Sequence, residues 1–126
     1  MFKLALIFFG SGIGAIARYK LGGMALHYWA DYRFPLGTSV VNVLGCIVAG
    51  VIAGLVERHG LLSADTRVFI FTGLLGGFTT FSAFGLETVF LLRRGDTGVA
   101  LAYVALSVLC GVLGLWLGMA TFLRRI

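Results

Sequence analysis

Two pairs of polar side chains interrupt the apolar runs of this chain, and each pair is spaced four residues apart. Thr38 and Asn42 form one pair, and Tyr103 and Ser107 form the other. Residues four apart share one face of a helix, so each pair predicts a polar stripe that faces protein or water rather than lipid. Side-chain amides and hydroxyls donate hydrogen bonds. The stripes therefore suit either bonds that hold helices together or the binding of an anion.

Two charged residues lie at the edges of apolar runs. Arg18 lies near one end of the first run, and Glu87 lies near the end of the third. A charge at the centre of a membrane helix costs about 2.5–3.5 kcal/mol on insertion scales. Arg18 therefore either extends its long side chain to the headgroups or lines a water-filled vestibule that attracts anions. Glu87 either caps or pairs locally or stands at the end of an ion path.

The third run contains Gly-Gly-Phe-Thr-Thr at residues 76–80. Glycine and β-branched residues are poor helix formers, so we expect the helix to open here. Freed backbone carbonyls cannot face lipid, and in transporters such broken helices hold ions. Phe81 and Phe84 follow on one helix face. Such a pair ordinarily packs in a core, but ring edges carry a partial positive charge that an anion can approach.

Composition indicates that these residues are carried by membrane helices. The chain has 126 residues, of which 60% are hydrophobic and 12% charged, whereas soluble domains have about 25% charged residues. A bilayer core needs about 20 apolar residues as helix. We predict an all-α membrane protein of one domain, residues 1–126, with four spans at about 4–26, 36–56, 68–92 and 99–123. The net charge of +5 lies at span ends, where headgroups lie, so nucleic-acid binding is not expected.

The first run also has features of a secretory signal peptide. Lys3 precedes it, and Ala15-Ile16-Ala17 supplies the small residues of a cleavage site. Glycines interrupt the run, however, and apolar sequence continues beyond Lys20. We therefore predict a retained span.

Basic residues are equally distributed between the two predicted sides of the membrane. Lysine and arginine bias sets orientation, so a tie predicts insertion both ways round and an antiparallel, dual-topology homodimer. The alternative is a weak bias set by two residues. One side carries Lys3, Arg58, Arg67, Arg124 and Arg125, and the other carries Arg18, Lys20, Arg33, Arg93 and Arg94.

Small residues in the spans predict close helix packing. The chain has 19 glycines and 2 cysteines, and small side chains let membrane helices approach closely. Cys46 and Cys110 lie inside apolar runs, where we expect free packing residues rather than a disulfide. Each span has one Gly-x-x-x-Gly pair: Gly10 with Gly14, Gly50 with Gly54, Gly73 with Gly77, and Gly114 with Gly118.

Taken in order along the chain, these motifs resemble the Fluc (CrcB-like) family of fluoride channels, and the resemblance covers essentially the whole sequence. It implies a dual-topology dimer in a bacterial inner (plasma) membrane that exports fluoride by passive electrodiffusion through two antiparallel pores. The matching segments are Gly12-Ile13-Gly14-Ala15 before Arg18-Tyr19, Gly37-Thr38 before Val41-Asn42, residues 76–84, and Glu87.

The resemblance also implies residue roles. Phe81 and Phe84 line each pore from opposite subunits, and Asn42 donates to the ion. The backbone carbonyls of Gly76 and Thr79 hold a structural Na⁺ on the dimer axis. Arg18 stands in the vestibule, Glu87 at the pore end, and Ser82, Thr38, Tyr103 and Ser107 belong to a polar track beside the rings.

The sequence departs from the family pattern at one position. Many relatives have threonine where this chain has Ala83, which removes a hydroxyl from the track.

Two rival functions remain. A proton-coupled multidrug exporter needs a carboxylate within the membrane, but only Glu87 approaches that position. A scaffold subunit would leave the break and the polar stripes unexplained. No nucleophile, base and orienting group occur together, so no enzyme is expected.

Overall fold

A computed structural model describes residues 1–28 and 33–122, apart from the side chain of Leu26. The predicted end of span four at Leu123, and the basic pair Arg124 and Arg125, lie outside the described residues. Within those ranges every regular element is helical. The elements are α1 (Phe2–Tyr28), α2 (Leu36–His59), α3 (residues 64–78), α4 (Phe81–Arg93) and α5 (Thr97–Ala120).

Helix α3 changes its winding along its length. It begins with an α-helical turn, Ala64–Arg67, where the Ser63 side chain accepts a hydrogen bond from the backbone N–H of Thr66 at 3.2 Å. This is the usual capping of exposed amide groups at a helix start. The helix continues as a wider π-helix over Val68–Leu75 and ends with the turn Gly76–Phe78. Together α3 and α4 form the third span.

Four segments of the described chain are long and apolar enough to cross a membrane. They are Phe2–Ala25, Leu36–His59, Ala64–Arg93 and Thr97–Ala120. The all-α membrane fold with four spans is thus confirmed, while the dimer stays a prediction. The helices run past the apolar stretches to include charged residues such as Arg58 and Asp65 at their ends, because a helix need not stop where the hydrocarbon stops.

Glycines bring α1 and α3 into backbone contact. A Cβ added to Gly10 would lie 2.9 Å from the carbonyl oxygen of Phe69, and one added to Gly14 would overlap the carbonyl oxygen of Leu74. Real Cβ atoms do not approach backbone this closely, so only glycine fits. In lipid, where apolar burial gives no drive to association, such close packing is what holds helices together.

Glycines also bring α2 and α5 into backbone contact. A Cβ on Gly50 would overlap the carbonyl oxygen of Leu115, and one on Gly118 would lie 2.8 Å from the carbonyl oxygen of Ile47. The packing role predicted for the Gly-x-x-x-Gly pairs is confirmed at both helix pairs. The bundle therefore consists of two tightly paired sets, α1 with α3 and α2 with α5.

Gly50→Ala is expected to destabilise the protein by about 1–3 kcal/mol, because the added methyl group forces the backbones of α2 and α5 apart. Gly98→Ala is the matched control, since an added Cβ there meets nothing within 4 Å. Apparent melting temperatures in detergent compare the two. A Gly50→Ala protein as stable as Gly98→Ala would contradict the packing role.

The third span is broken, but over a shorter stretch than predicted. Thr79 and Thr80 have extended backbone, with ψ of 155° and 110°. Gly76, in contrast, is helical with φ −63° and ψ −36°. The expectation that the helix opens across residues 76–80 is wrong for the glycines. Gly77 is needed for close approach, because a Cβ there would overlap the carbonyl oxygen of Ser11 on α1.

Candidate functional site

The side chain of Asn42 on α2 holds the break between α3 and α4 in place. Its Nδ2 donates to the carbonyl oxygen of Thr80 at 3.1 Å, and its Oδ1 accepts from the backbone N–H of Thr80 at 2.8 Å. The amide thus pairs with the backbone as a neighbouring strand would. Backbone groups inside a membrane need such partners, so Asn42 satisfies the two polar groups that the break exposes at Thr80.

This arrangement removes the helical partners of two carbonyl groups. In an unbroken helix the N–H of Thr80 would donate to Gly76, and the N–H of Ala83 would donate to Thr79. The Thr80 N–H donates to Asn42 Oδ1, and the Ala83 N–H donates to Thr80 Oγ1 at 3.3 Å as a helix cap. The carbonyl groups of Gly76 and Thr79, the two predicted sodium ligands, are therefore released from the helical pattern.

A cavity of about 260 Å³ lies beside the break. Phe81 and Phe84 form one wall, with their ring centroids 5.6 Å apart and the planes tilted by 38°. Phe81 is 84% exposed, so its ring stands at the edge of the cavity. Polar and aromatic side chains line the same space here. The lining residues are Asn42, Cys46, Thr79, Thr80, Phe81, Phe84, Ser107 and Val108.

Glu87 is the centre of a three-helix polar cluster. Its Oε1 accepts from the Thr38 hydroxyl at 2.7 Å, and its Oε2 accepts from the Tyr103 hydroxyl at 2.6 Å. Hydroxyl groups bonded to a carboxylate show such short distances. Tyr103 is fully buried, and its ring packs against Phe84 and Phe34 at centroid distances of 5.1 and 5.5 Å. The cluster joins α2, α4 and α5 next to the aromatic pair.

A second cleft, of about 320 Å³, connects this cluster with the first helix. Arg18 and Glu87 both line it, so one wall is positive and the other negative. Thr38, Thr80 and Ala83 also line it. The vestibule interpretation of Arg18 is therefore compatible with its location, since the residue faces a cleft that reaches the break.

The predicted polar site residues divide into two groups. Asn42 and Ser107 lie at the aromatic cavity, whereas Thr38, Glu87 and Arg18 lie at the cleft. Tyr103 points to Glu87 rather than to the cavity that Ser107 lines. Ser82 is exposed, and its hydroxyl lies 3.3 Å from Thr80 Oγ1, outside the lining of both spaces.

Sequence reasoning missed one polar residue at this site. Ser39 Oγ lies 2.9 Å from Ser107 Oγ, in a contact between α2 and α5. Its position three residues before Asn42 places the two on one helix face, which was a usable signal. The two cysteines are free, as expected: Cys46 lines the cavity and Cys110 is exposed.

A membrane span broken beside polar cavities defines a class of protein, the membrane proteins that bind or pass small ions. The comparisons with known proteins give the family. The model for CrcB-like protein, Camphor Resistance (CrcB), matches residues 5–119. The chain belongs to this CrcB-like family.

Relatives of similar length support the assignment. A protein of Methylobacillus flagellatus named fluoride-specific ion channel FluC is 52% identical over 118 residues, covering 94% of this chain and 92% of that protein. A protein of the same name from Rhodospirillum centenum is 46% identical over 111 residues, covering 88% and 87%. One from Novosphingobium aromaticivorans is 44% identical over 121 residues, covering 95% of each.

Proposed function

We propose that this protein is a fluoride-specific ion channel that lets fluoride leave the cell by passive electrodiffusion. The observation that carries the proposal is the 52% identity, over nearly the whole chain, to a relative named as a fluoride-specific ion channel. The cavity at the break adds a physical reason. A small, strongly hydrated anion needs hydrogen-bond donors to replace lost water, and amide, hydroxyl and ring-edge groups converge there.

The proposed path runs between the cleft and the aromatic cavity. Arg18 raises the local concentration of anions at the cleft, and the ion then meets Asn42, Phe81 and Phe84 with Ser107 beside them. Thr38 and Tyr103 turn their hydroxyl groups toward Glu87. Both carboxylate oxygens of Glu87 thus accept strong, charge-assisted hydrogen bonds, which fix the side chain at the cleft rather than in the aromatic cavity.

A second copy of the chain is proposed to complete each pore. Phe81 and Ser82 are both exposed near the middle of the third span. A hydroxyl at this depth is unsuited to lipid, and a partner subunit would cover it. An antiparallel homodimer gives two pores of opposite direction, with the aromatic pair of each pore contributed by opposite subunits.

A structural Na⁺ is proposed at the centre of that dimer. The carbonyl groups of Gly76 and Thr79 fit such an ion, because both have lost the N–H group that an intact helix would supply, and freed carbonyls of broken helices are ligands of Na⁺ in transporters. When bound, the ion supplies a fixed positive charge beside the pores. The chain's own part is to hold the carbonyl groups in place, which Asn42 does through Thr80.

Purified protein in liposomes loaded with fluoride tests the channel. We expect rapid fluoride efflux, measured with a fluoride electrode, and much slower chloride efflux from liposomes loaded with chloride. Liposomes without protein give the background. Background fluoride efflux, or equal efflux of the two anions, would refute the proposal.

The proposed location is a bacterial inner membrane, with the chain inserted in both orientations. The equal numbers of basic residues on the two sides support this. We expect a reporter fused to the carboxyl terminus to be found on both sides of the membrane. A reporter active on one side only would contradict dual topology, although a channel of another assembly would remain.

A further inference from the structure

A serine pair lies behind the aromatic cavity, at the contact between α2 and α5. Ser107 is one of the residues that line the cavity, together with Asn42 and the two phenylalanine rings, whereas Ser39 is not. The two hydroxyl oxygens are 2.9 Å apart, and either can be the donor. Both side chains are partly buried. Ser39 thus lies outside the cavity lining and is hydrogen-bonded to one of its members.

The direction of this hydrogen bond determines whether Ser107 presents a hydrogen or a lone pair to an anion in the cavity. A hydroxyl group has one hydrogen and two acceptor sites. If Ser107 donates to Ser39, the cavity meets only lone pairs of Ser107, which repel an anion. If Ser39 donates to Ser107, the hydrogen of Ser107 is free to turn into the cavity.

The neighbouring hydroxyl on α5 cannot take over this role. Tyr103, one helical turn before Ser107, already donates to Glu87 at 2.6 Å. Ser107 is then the hydroxyl on this face of α5 whose hydrogen can reach an ion in the cavity. An anion that accepts from Ser107 also makes it a better acceptor from Ser39, because linked hydrogen bonds strengthen one another.

We propose that Ser39 is a positioning residue for ion passage: it donates to Ser107 and so keeps the Ser107 hydrogen directed toward a hydrated or partly dehydrated anion. The inference rests on the proposed fluoride channel function. It assigns to Ser39 an effect on the ion that depends wholly on Ser107.

Fluoride efflux from liposomes tests the inference with four variants. Ser39→Ala removes the donor and is expected to slow efflux by about three- to tenfold, the range of one hydrogen bond. Ser39→Thr keeps a hydroxyl and should stay within about twofold of the unmodified protein. Ser107→Ala should slow efflux at least as much as Ser39→Ala, and the double variant should be no slower than Ser107→Ala alone.

Controls separate positioning from folding. Ser11→Ala, on α1 and away from the cavity lining, should conduct normally, and elution volume and melting temperature verify that each variant is assembled. Normal efflux in Ser39→Ala, equal loss in Ser39→Thr, or a further loss from Ser39→Ala in the Ser107→Ala background would each overturn the inference. In all of these cases the unmodified protein conducts fluoride. Failure of the unmodified protein itself refutes the channel instead.

Discussion

Asn42→Asp is expected to reduce fluoride efflux to the background of the liposome assay. The carboxylate is nearly the same shape as the amide, but it has no N–H to donate to the Thr80 carbonyl. It also places a negative charge at the cavity. At a separation of about 4 Å and an effective dielectric constant of about 20, repulsion of an anion amounts to about 4 kcal/mol, or roughly a thousandfold in rate.

Asn42→Ala separates charge from hydrogen bonding. It removes both bonds to Thr80 without adding charge, and loss of a donor to a charged group costs about 1.5–3 kcal/mol, or roughly ten- to a hundredfold in rate. Efflux should therefore rank unmodified protein first, Asn42→Ala second and Asn42→Asp last. Elution as the unmodified oligomer verifies assembly. Normal efflux in Asn42→Asp would remove Asn42 from the ion path, and normal efflux in Asn42→Ala alone would leave its amide without a role as donor.

Phe81→Ile is expected to slow fluoride efflux by more than about tenfold, equivalent to about 1.4 kcal/mol. Isoleucine preserves the apolar character of the side chain but lacks the positive ring edge that an anion can approach. The variant also loses the ring contact with Phe84, whose centroid lies 5.6 Å away. The same liposome assay measures the change.

Phe90→Ile provides the matched control for this substitution. Phe90 lies nine residues further along α4, on the opposite helix face, and is 49% exposed. It lines neither the aromatic cavity nor the cleft at Arg18. Efflux through Phe90→Ile should match that of the unmodified protein. Equal rates in the two variants would show that Phe81 is an ordinary lipid-facing or packing residue.

The fold was largely predictable because membrane-spanning helices can be recognised from their amino-acid composition. Long apolar runs define the four spans, and a run of poor helix formers located the broken one. The precise limits of the break were not predictable from propensity. Gly76 and Gly77 remain helical where α3 packs against α1 through Gly77, and propensity describes an isolated helix rather than one packed against backbone.

The candidate site was predictable in its members but not in its pairings. The four-residue spacing identified Tyr103 and Ser107 as one stripe, yet in the structure Tyr103 donates to Glu87 and Ser107 shares a hydrogen bond with Ser39. Those partners depend on how α2, α4 and α5 are rotated about their axes. A single sequence gives the face of each helix but not the rotation of one helix relative to the next.

The two extended residues Thr79 and Thr80 also divide the helix dipole of the third span into two. One continuous helix would carry its partial charges only at its two ends, but the break creates two further ends in the middle of the span. The carboxyl end of α3 at Phe78 is partially negative, and the amino end of α4 at Phe81 is partially positive. One side of the short break therefore favours a cation, and the other side favours an anion. Na⁺ is proposed beside Gly76, and fluoride is proposed beside Phe81.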